Sequence, residues 1–353
     1  LAFASSGAYA VTPFEAPDVT VFLSGASAPQ ATLGSLASGL FQGVLGTDFF
    51  AYYDTGGTIG ANYRAYFGQL KTVAQDPNMP AAIAGKKVLL VNRAKGGSVW
   101  GVNPVARAQG VGYMPVTSGN CTLNTAATSI TFQYLCGEAG DDLNPGAAGN
   151  VVPDFGVSDV EPKMFKDDRN VEFGQFQLTE AEVGNITNFG VSALLFGLPV
   201  TTNVSSVISS IPRSIFGGML SGTIKKWNKV DPAFAAADDV MVCRRVQGSG
   251  TQASYNQYFN NFPCGVNGLG GAGAVNTARV FDSVGYGVGS LGTGDGTNTA
   301  NALGIDAASG YTVIENSSSG NVRACLANAR NGKDYYYKGD DGLIYRAKFG
   351  GTT

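Results

Sequence analysis

Val240-Met-Val-Cys-Arg-Arg-Val-Gln-Gly-Ser-Gly-Thr-Gln-Ala-Ser-Tyr-Asn-Gln-Tyr-Phe259 opens with β-branched and apolar residues and passes through a glycine turn. It continues with Ala253, Tyr258, Phe259 and then Phe262 at helical spacing. The pattern predicts a strand, the turn Gly248-Ser249-Gly250-Thr251, and a helix. Glycines allow backbone conformations closed to other residues, and Ser249 or Thr251 is suited to cap the helix. Unpaired N–H groups at such a helix start can seat an oxyanion, and Arg245 just upstream offers a planar fork of donors. The same segment also serves as a capped strand-to-helix turn with no ligand. It is not a Walker loop, because no Gly-Lys-Ser/Thr follows the glycines.

Working outward, Asp18-Val-Thr-Val-Phe-Leu23 reads as a buried strand running into Ser24-Gly-Ala-Ser-Ala-Pro29. Leu33, Leu36, Leu40, Phe41, Val44 and Leu45 then repeat at helical spacing. Phe49–Tyr53 predicts another strand, Asp54-Thr-Gly-Gly-Thr-Ile-Gly60 a turn, and Tyr63, Tyr66, Phe67 and Leu70 the stripe of a helix. Lys86–Asn92 predicts a further strand, followed by Arg93-Ala-Lys-Gly-Gly-Ser98, either an anion contact or a basic exposed loop. Repeated strand-turn-helix units predict a parallel α/β sheet, with ligands off the carboxyl ends of its strands. Residues 119–150, rich in Gly, Asn, Thr and Ala, read as a surface insertion. Val151–Pro162 follows, an apolar approach ending in Ser158 and Asp159.

Composition bounds the function. The 353 residues are 44% hydrophobic, enough for packed cores in two domains. Only 14% are charged and the formal net charge is -3, so no polybasic surface for nucleic acid or anionic membrane is expected. The chain has no His, which removes the usual base of Ser and Cys triads and every His-ligated metal motif. A non-catalytic protein without metal or cofactor is expected. None of the five cysteines forms a Cys-x-x-Cys pair, so disulfides are the better reading, with buried free thiols as the alternative. Cys121 and Cys136 would tie a local loop, and Cys264 is paired with Cys325 among the later three. Disulfides, together with Ala2-Phe-Ala4 and Ala8-Tyr-Ala10, which resemble the border of a signal-peptide cleavage site, predict a periplasmic or extracellular protein.

Taken together, Ser24-Gly-Ala-Ser-Ala-Pro29, Phe155-Gly-Val-Ser-Asp159, Ile215-Phe-Gly-Gly-Met-Leu-Ser-Gly-Thr-Ile-Lys-Lys-Trp-Asn228 and Arg245-Val-Gln-Gly-Ser-Gly-Thr251 resemble the periplasmic phosphate-binding proteins of ABC importers, in the order seen in that family. The resemblance covers about residues 20 to 330 and implies a two-lobed type II solute-binding fold with a hinge and a central cleft. It implies a first lobe over 1–195, carrying the insertion near 119–150, and a second over 196–353. Phosphate or a related tetrahedral oxyanion would be held by Arg245, by Ser249, Gly250 and Thr251 as donors, and by Asp159 as acceptor of the ligand's proton. Thr58 resembles the family's second hydroxyl turn, and Ser27 and Gln30 of the first turn complete the implied set. The family's partner is an ABC-importer membrane subunit.

The chain departs from the family in three places. Pro29 and Gln30 stand where a Thr-Phe pair is usual, and proline lacks the N–H that would bind the ligand. Gln247 replaces an acid beside the arginine. The family's return strand is not found, and Tyr335–Phe349 reads instead as a hairpin about Asp341-Gly342. The expectation is a processed chain or a first lobe completed differently. The departures keep a second function open, a structural or self-assembling subunit that reuses this fold. Trp100 and Trp227 read as core anchors, and Asn-x-Ser/Thr triplets begin at Asn120, Asn185, Asn203 and Asn316.

Overall fold

The computed structural model describes residues 11–260 except 56–58, 61, 126–132, 167–169, 172–174, 192, 194, 221 and 246–247; beyond 260 it describes 277–280, 302–306, 312–316, 319–331, 335–338 and 344–348. The protein is mixed α/β, in two compact units. The first takes the described residues up to Lys95 and Trp100–Val157, and the second takes Gly96–Val99 and the described residues from Ser158 onward. The chain thus leaves the first unit at Val157, earlier than the boundary read at 195.

In the first unit the strands are β1 (Val19–Gly25), β2 (Phe49–Asp54), β3 (Tyr63–Gln69), β4 (Lys87–Arg93), β5 (Val111–Gly112), β6 (Cys121–Leu123), β7 (Tyr134–Cys136), β8 (Asn150–Val151) and β9 (Phe155–Val157). Seven of them form one sheet in the order β6-β7-β2-β3-β4-β1-β9. β1 runs parallel to β4 and β9, and β2 parallel to β7. The pairs β2–β3, β3–β4 and β6–β7 are antiparallel, so the sheet is mixed rather than the parallel one expected.

The reason lies in Tyr63–Leu70. Tyr63, Tyr66, Phe67 and Leu70 match a helical stripe, yet they fall on β3 and at its end. β3 lies between β2 and β4, and Tyr63, Ala65, Tyr66, Phe67 and Gly68 are all buried. A strand covered on both faces carries apolar residues at nearly every position, and such a run contains a helical spacing by default. Aromatic side chains suit the pleated surface, so the residues pair as a meander.

The helix read after the first turn is shorter than its apolar repeat. A 3-10 turn at Ala28–Ala31 precedes α1 (Leu33–Leu40), which ends as Phe41 turns extended and packs against Phe49 at a centroid distance of 5.5 Å. Leu33, Ala37, Phe41, Phe49, Tyr66, Leu70 and Val88 are central to this core. α2 (Val99–Arg107) was not anticipated. Within residues 119–150, read as a surface insertion, β7 joins the sheet beside β2, with Cys136 opposite Asp54.

In the second unit the helices are α3 (Glu180–Gly184), α4 (Thr202–Ser205), α5 (Arg213–Leu220), α6 (Gly250–Asn260) and α7 (Ser319–Asn331). The strands are β10 (Met241–Arg245), β11 (Thr277–Val280), β12 (Ala302–Asp306), β13 (Thr312–Asn316), β14 (Tyr335–Lys338) and β15 (Ile344–Lys348). β13 is flanked on either side by β10 and β11, all parallel. β15 pairs parallel with β12 and antiparallel with β14, giving the hairpin read near 335–349; its turn lies outside the described residues. Phe216, Met219 and Leu220 of α5 pack with Val240 and Val242, and Trp227, Tyr255 and Phe259 close over them. Trp227 is therefore a core contact, as is the buried Trp100 in the first unit.

Cys121 and Cys136 form the expected disulfide across β6 and β7, with Cα atoms 4.1 Å apart. The later pairing is corrected: Cys325 of α7 bonds Cys243 of β10, not Cys264, which lies outside the described residues. That bridge ties a helix to the sheet it covers. Among the described residues, no helix is long and apolar enough to cross a membrane.

Candidate functional site

β10 and β13 lie side by side in parallel, with Arg245 opposite Asn316, and each is followed within a few residues of its carboxyl end by a helix. The amino ends of α6 and α7 therefore follow adjacent strand ends, which is where open α/β sheets bind ligands. Asn316 fixes the pair by donating from Nδ2 to the Arg244 carbonyl at 3.2 Å.

Gly248 takes a φ of +84°, a conformation open to glycine, and turns the chain into α6. Ser249 is buried, and its Oγ accepts from the amide of Gln252 at 3.4 Å, so it is the helix cap. Thr251 is left for another partner. Its Oγ1 donates to Oδ2 of Asp159 at 3.2 Å, across 92 residues of sequence. Burial pushes the Asp159 carboxyl above its ordinary value, while Thr251, the Arg245 charge and Ser98 pull the other way.

Arg245 is buried at the end of β10 and donates from Nη1 to Oγ of Ser319, the first residue of α7, at 3.3 Å. Gly97, at a φ of +92°, lies against Gly248 and Ser249, and the Val99 amide donates to the Gly248 carbonyl at 3.0 Å. Ser98 between them is fully buried, its Oγ accepting from the Asp159 amide at 3.1 Å. Gly250 is required by space. A Cβ there would collide with the Ser98 hydroxyl and stand 2.8 Å from Cβ of Asp159.

Of the eight sequence-read ligand positions, the structure gathers Asp159, Arg245, Ser249, Gly250 and Thr251 in the second unit. Ser27 and Gln30 belong to the first unit. Ser27 follows β1 and its carbonyl accepts from the Gln30 amide at 3.2 Å. Gln30 is buried, with Nε2 donating to the Gly60 carbonyl at 2.9 Å and its own carbonyl accepting from Arg64. Thr58 lies outside the described residues, as does Gln247.

Sequence reasoning missed Ser98 and Ser319 as neighbours of this site. Each stands where a strand and a small-residue turn lead into a helix, the same signal that located Thr251. In Gly96-Gly-Ser98 it was overshadowed by the basic residues upstream. In Asn316-Ser-Ser-Ser-Gly320 it was read only as an Asn-x-Ser triplet.

Arg93 and Lys95 prove to be neither an anion contact nor a free basic loop. Arg93 is fully buried and pairs with Asp142 at 2.8 Å, and Lys95 pairs with Glu138 at 3.2 Å. Nearby, Asp54 ends β2 wholly buried. Its Oδ1 accepts from the amides of Asn62 at 3.1 Å and Tyr63 at 2.8 Å, while Oδ2 has no hydrogen-bond partner among the described residues. Glu138 is the neighbouring carboxylate, held by Asn62 Nδ2 at 3.1 Å. Among the described residues no three His, Cys, Asp or Glu side chains group to hold a metal ion.

No family model matches this chain, and neither a curated protein nor a solved structure was found to be similar to it.

Proposed function

We propose that the second unit binds a tetrahedral oxyanion of the phosphate class, without catalysis. The observation that carries this is the seat of Asp159: a carboxylate, itself an oxyanion, accepts from the hydroxyl of Thr251 at the start of α6, within the field of buried Arg245. Donors aimed at anionic oxygens beside a guanidinium are what a phosphate-type ligand requires. Asp159 adds selectivity. It repels a fully ionised ligand and accepts a hydrogen bond from one that keeps a proton. In this account the chain has a two-lobed type II solute-binding fold, works in the periplasm or outside the cell, and delivers its anion to the membrane subunit of an ABC importer.

The experiment is calorimetric titration of Arg245→Ala with phosphate. A charge-assisted hydrogen bond at a buried site contributes about 1.5–3 kcal/mol, so affinity should fall on the order of 100-fold while the fold persists. An unchanged dissociation constant overturns the assignment of Arg245.

A second reading has its own support. No charged residue occurs from Val183 to Pro212, and Phe189, Val191 and Leu195 on this stretch are exposed. An uncharged apolar surface of this kind favours self-association, as a structural or assembly subunit would need. A monomer by light scattering contradicts it.

A further inference from the structure

Two ties join β10 to α7. Cys243 of the strand is disulfide-bonded to Cys325 of the helix, and Arg245 donates from Nη1 to Oγ of Ser319 at 3.3 Å. Cys243 and Arg245 stand two positions apart on a strand, so their side chains share a face, and α7 covers that face. The lengths agree. Two residues of strand rise about 7 Å and the step from Ser319 to Cys325 about 9 Å, so the helix runs back along the strand with its amino end at Arg245. The buried seam of the helix is thin: among its described side chains Cys325 alone is buried, Val322 and Leu326 are half-buried, and Ser319, Arg323, Ala327 and Arg330 are exposed. The two bridges of the chain also differ in access. Cys121 and Cys136 are both buried, whereas Cys243 is half-buried, which leaves its bridge the more open to a thiol.

We infer that the Cys243–Cys325 disulfide is a redox-modifiable latch, which holds the amino end of α7 at Arg245 while oxidised and releases it when a dithiol reduces the bridge. The inference rests on the function proposed above and names how that site is regulated: oxidation completes it and reduction loosens it. The exchange balances. One thiolate of the reductant attacks Sγ of Cys243, and Cys325 leaves as a thiolate that takes up a proton. The second thiol of the reductant then attacks the mixed disulfide and frees Cys243, so the dithiol gives up two electrons and two protons and ends as a disulfide. With the bridge gone, the hydrogen bond to Ser319 must hold the helix end by itself. Arg245 then loses a fixed partner on the side where α7 begins.

The test uses the full chain with Cys264→Ser, which leaves only the four bonded cysteines. Graded dithiothreitol followed by alkylation and mass spectrometry locates the bridge that opens first. Hydrogen exchange then follows α7 against α5 and α6, and calorimetry follows phosphate, before reduction, after it and after reoxidation. The bridge at Cys243 should open before the one at Cys121, exchange in α7 should speed at least about 10-fold while α5 and α6 keep their protection, and phosphate affinity should fall on the order of 10-fold. Reoxidation should restore both. The double variant Cys243→Ser with Cys325→Ser should behave as the reduced chain and ignore dithiothreitol. Earlier opening at Cys121, or unchanged exchange in α7, overturns the inference, and so does loss of protection throughout α5 and α6, which would make the bridge a staple of the whole unit. If exchange in α7 responds but phosphate affinity does not, the latch does not regulate the site and the inference falls while the functional reading stands. If the oxidised chain binds no phosphate, the functional reading falls, and exchange in α7 alone decides whether the bridge is a latch.

Discussion

Replacing Asp142 with alanine is expected to cost about 3–5 kcal/mol of folding stability, because it strands a buried cation. Arg93 has no exposed side-chain surface, and its guanidinium gives Nη2 to Asp142 at 2.8 Å and Nη1 to the Lys95 carbonyl at 2.7 Å. It also lies 4.9 Å from the centroid of the Trp100 ring. Asp142 is held in turn by the Gly112 amide at 2.8 Å and by Lys95 at 3.5 Å. Burial alone would push the Asp142 carboxyl up, but Arg93, Lys95 and the Gly112 amide outweigh it and hold it below its ordinary value. Its contribution is therefore complete above the unfolded carboxylate range and lost as pH falls through the folded value. Denaturant unfolding at neutral pH in a Trp227→Phe background leaves Trp100 as the one tryptophan, a reporter of the first unit. A loss below about 1 kcal/mol, the level of an exposed pair, would contradict the argument.

Asp54 should show the opposite dependence on pH. Its carboxyl is pushed up to about 6 from 3.8, first by burial and then by Glu138, against the amides of Tyr63 and Asn62. A folded value above the unfolded one means that the native state holds a proton the unfolded chain has released. Stability from this group is fully present below about pH 4 and is lost as pH rises through the folded value near 6. At pH 7 the ionised group costs roughly 3 kcal/mol, from the shift at about 1.4 kcal/mol per unit. Asp54→Asn keeps an oxygen for the two amides and removes the charge. The variant should match the wild type near pH 4 and exceed it near neutrality by up to about 3 kcal/mol. Parallel stability curves for the two proteins across that range would refute the assignment.

The two carboxylates show how unevenly the sequence discloses its physics. Strand, turn and helix around Gly248–Thr251 were legible, because the glycines, the cap and the apolar residues all point to one local structure. The approach to Asp159 was legible for the same reason. β3 was not, since burial on both faces erases the alternation that marks a strand. Arg93 looked like a solvated loop residue because its partner, Asp142, lies 49 positions away. Ser98 and Ser319 are common residues whose importance comes only from the strands that bring them beside Asp159 and Arg245. The partner of Cys325 depended on α7 packing over β10, a choice that spacing along the chain does not make.

The central claim is tested most directly by titrating the phosphate-stripped wild-type chain with phosphate and with sulfate in a calorimeter, with light scattering on the same sample. The account predicts a monomer that binds phosphate at one saturable site, with a dissociation constant on the order of micromolar or tighter, and takes sulfate more weakly. Absence of binding heat from a large ordered assembly would contradict it, and the turn around Thr251 would then be a helix cap in a structural subunit.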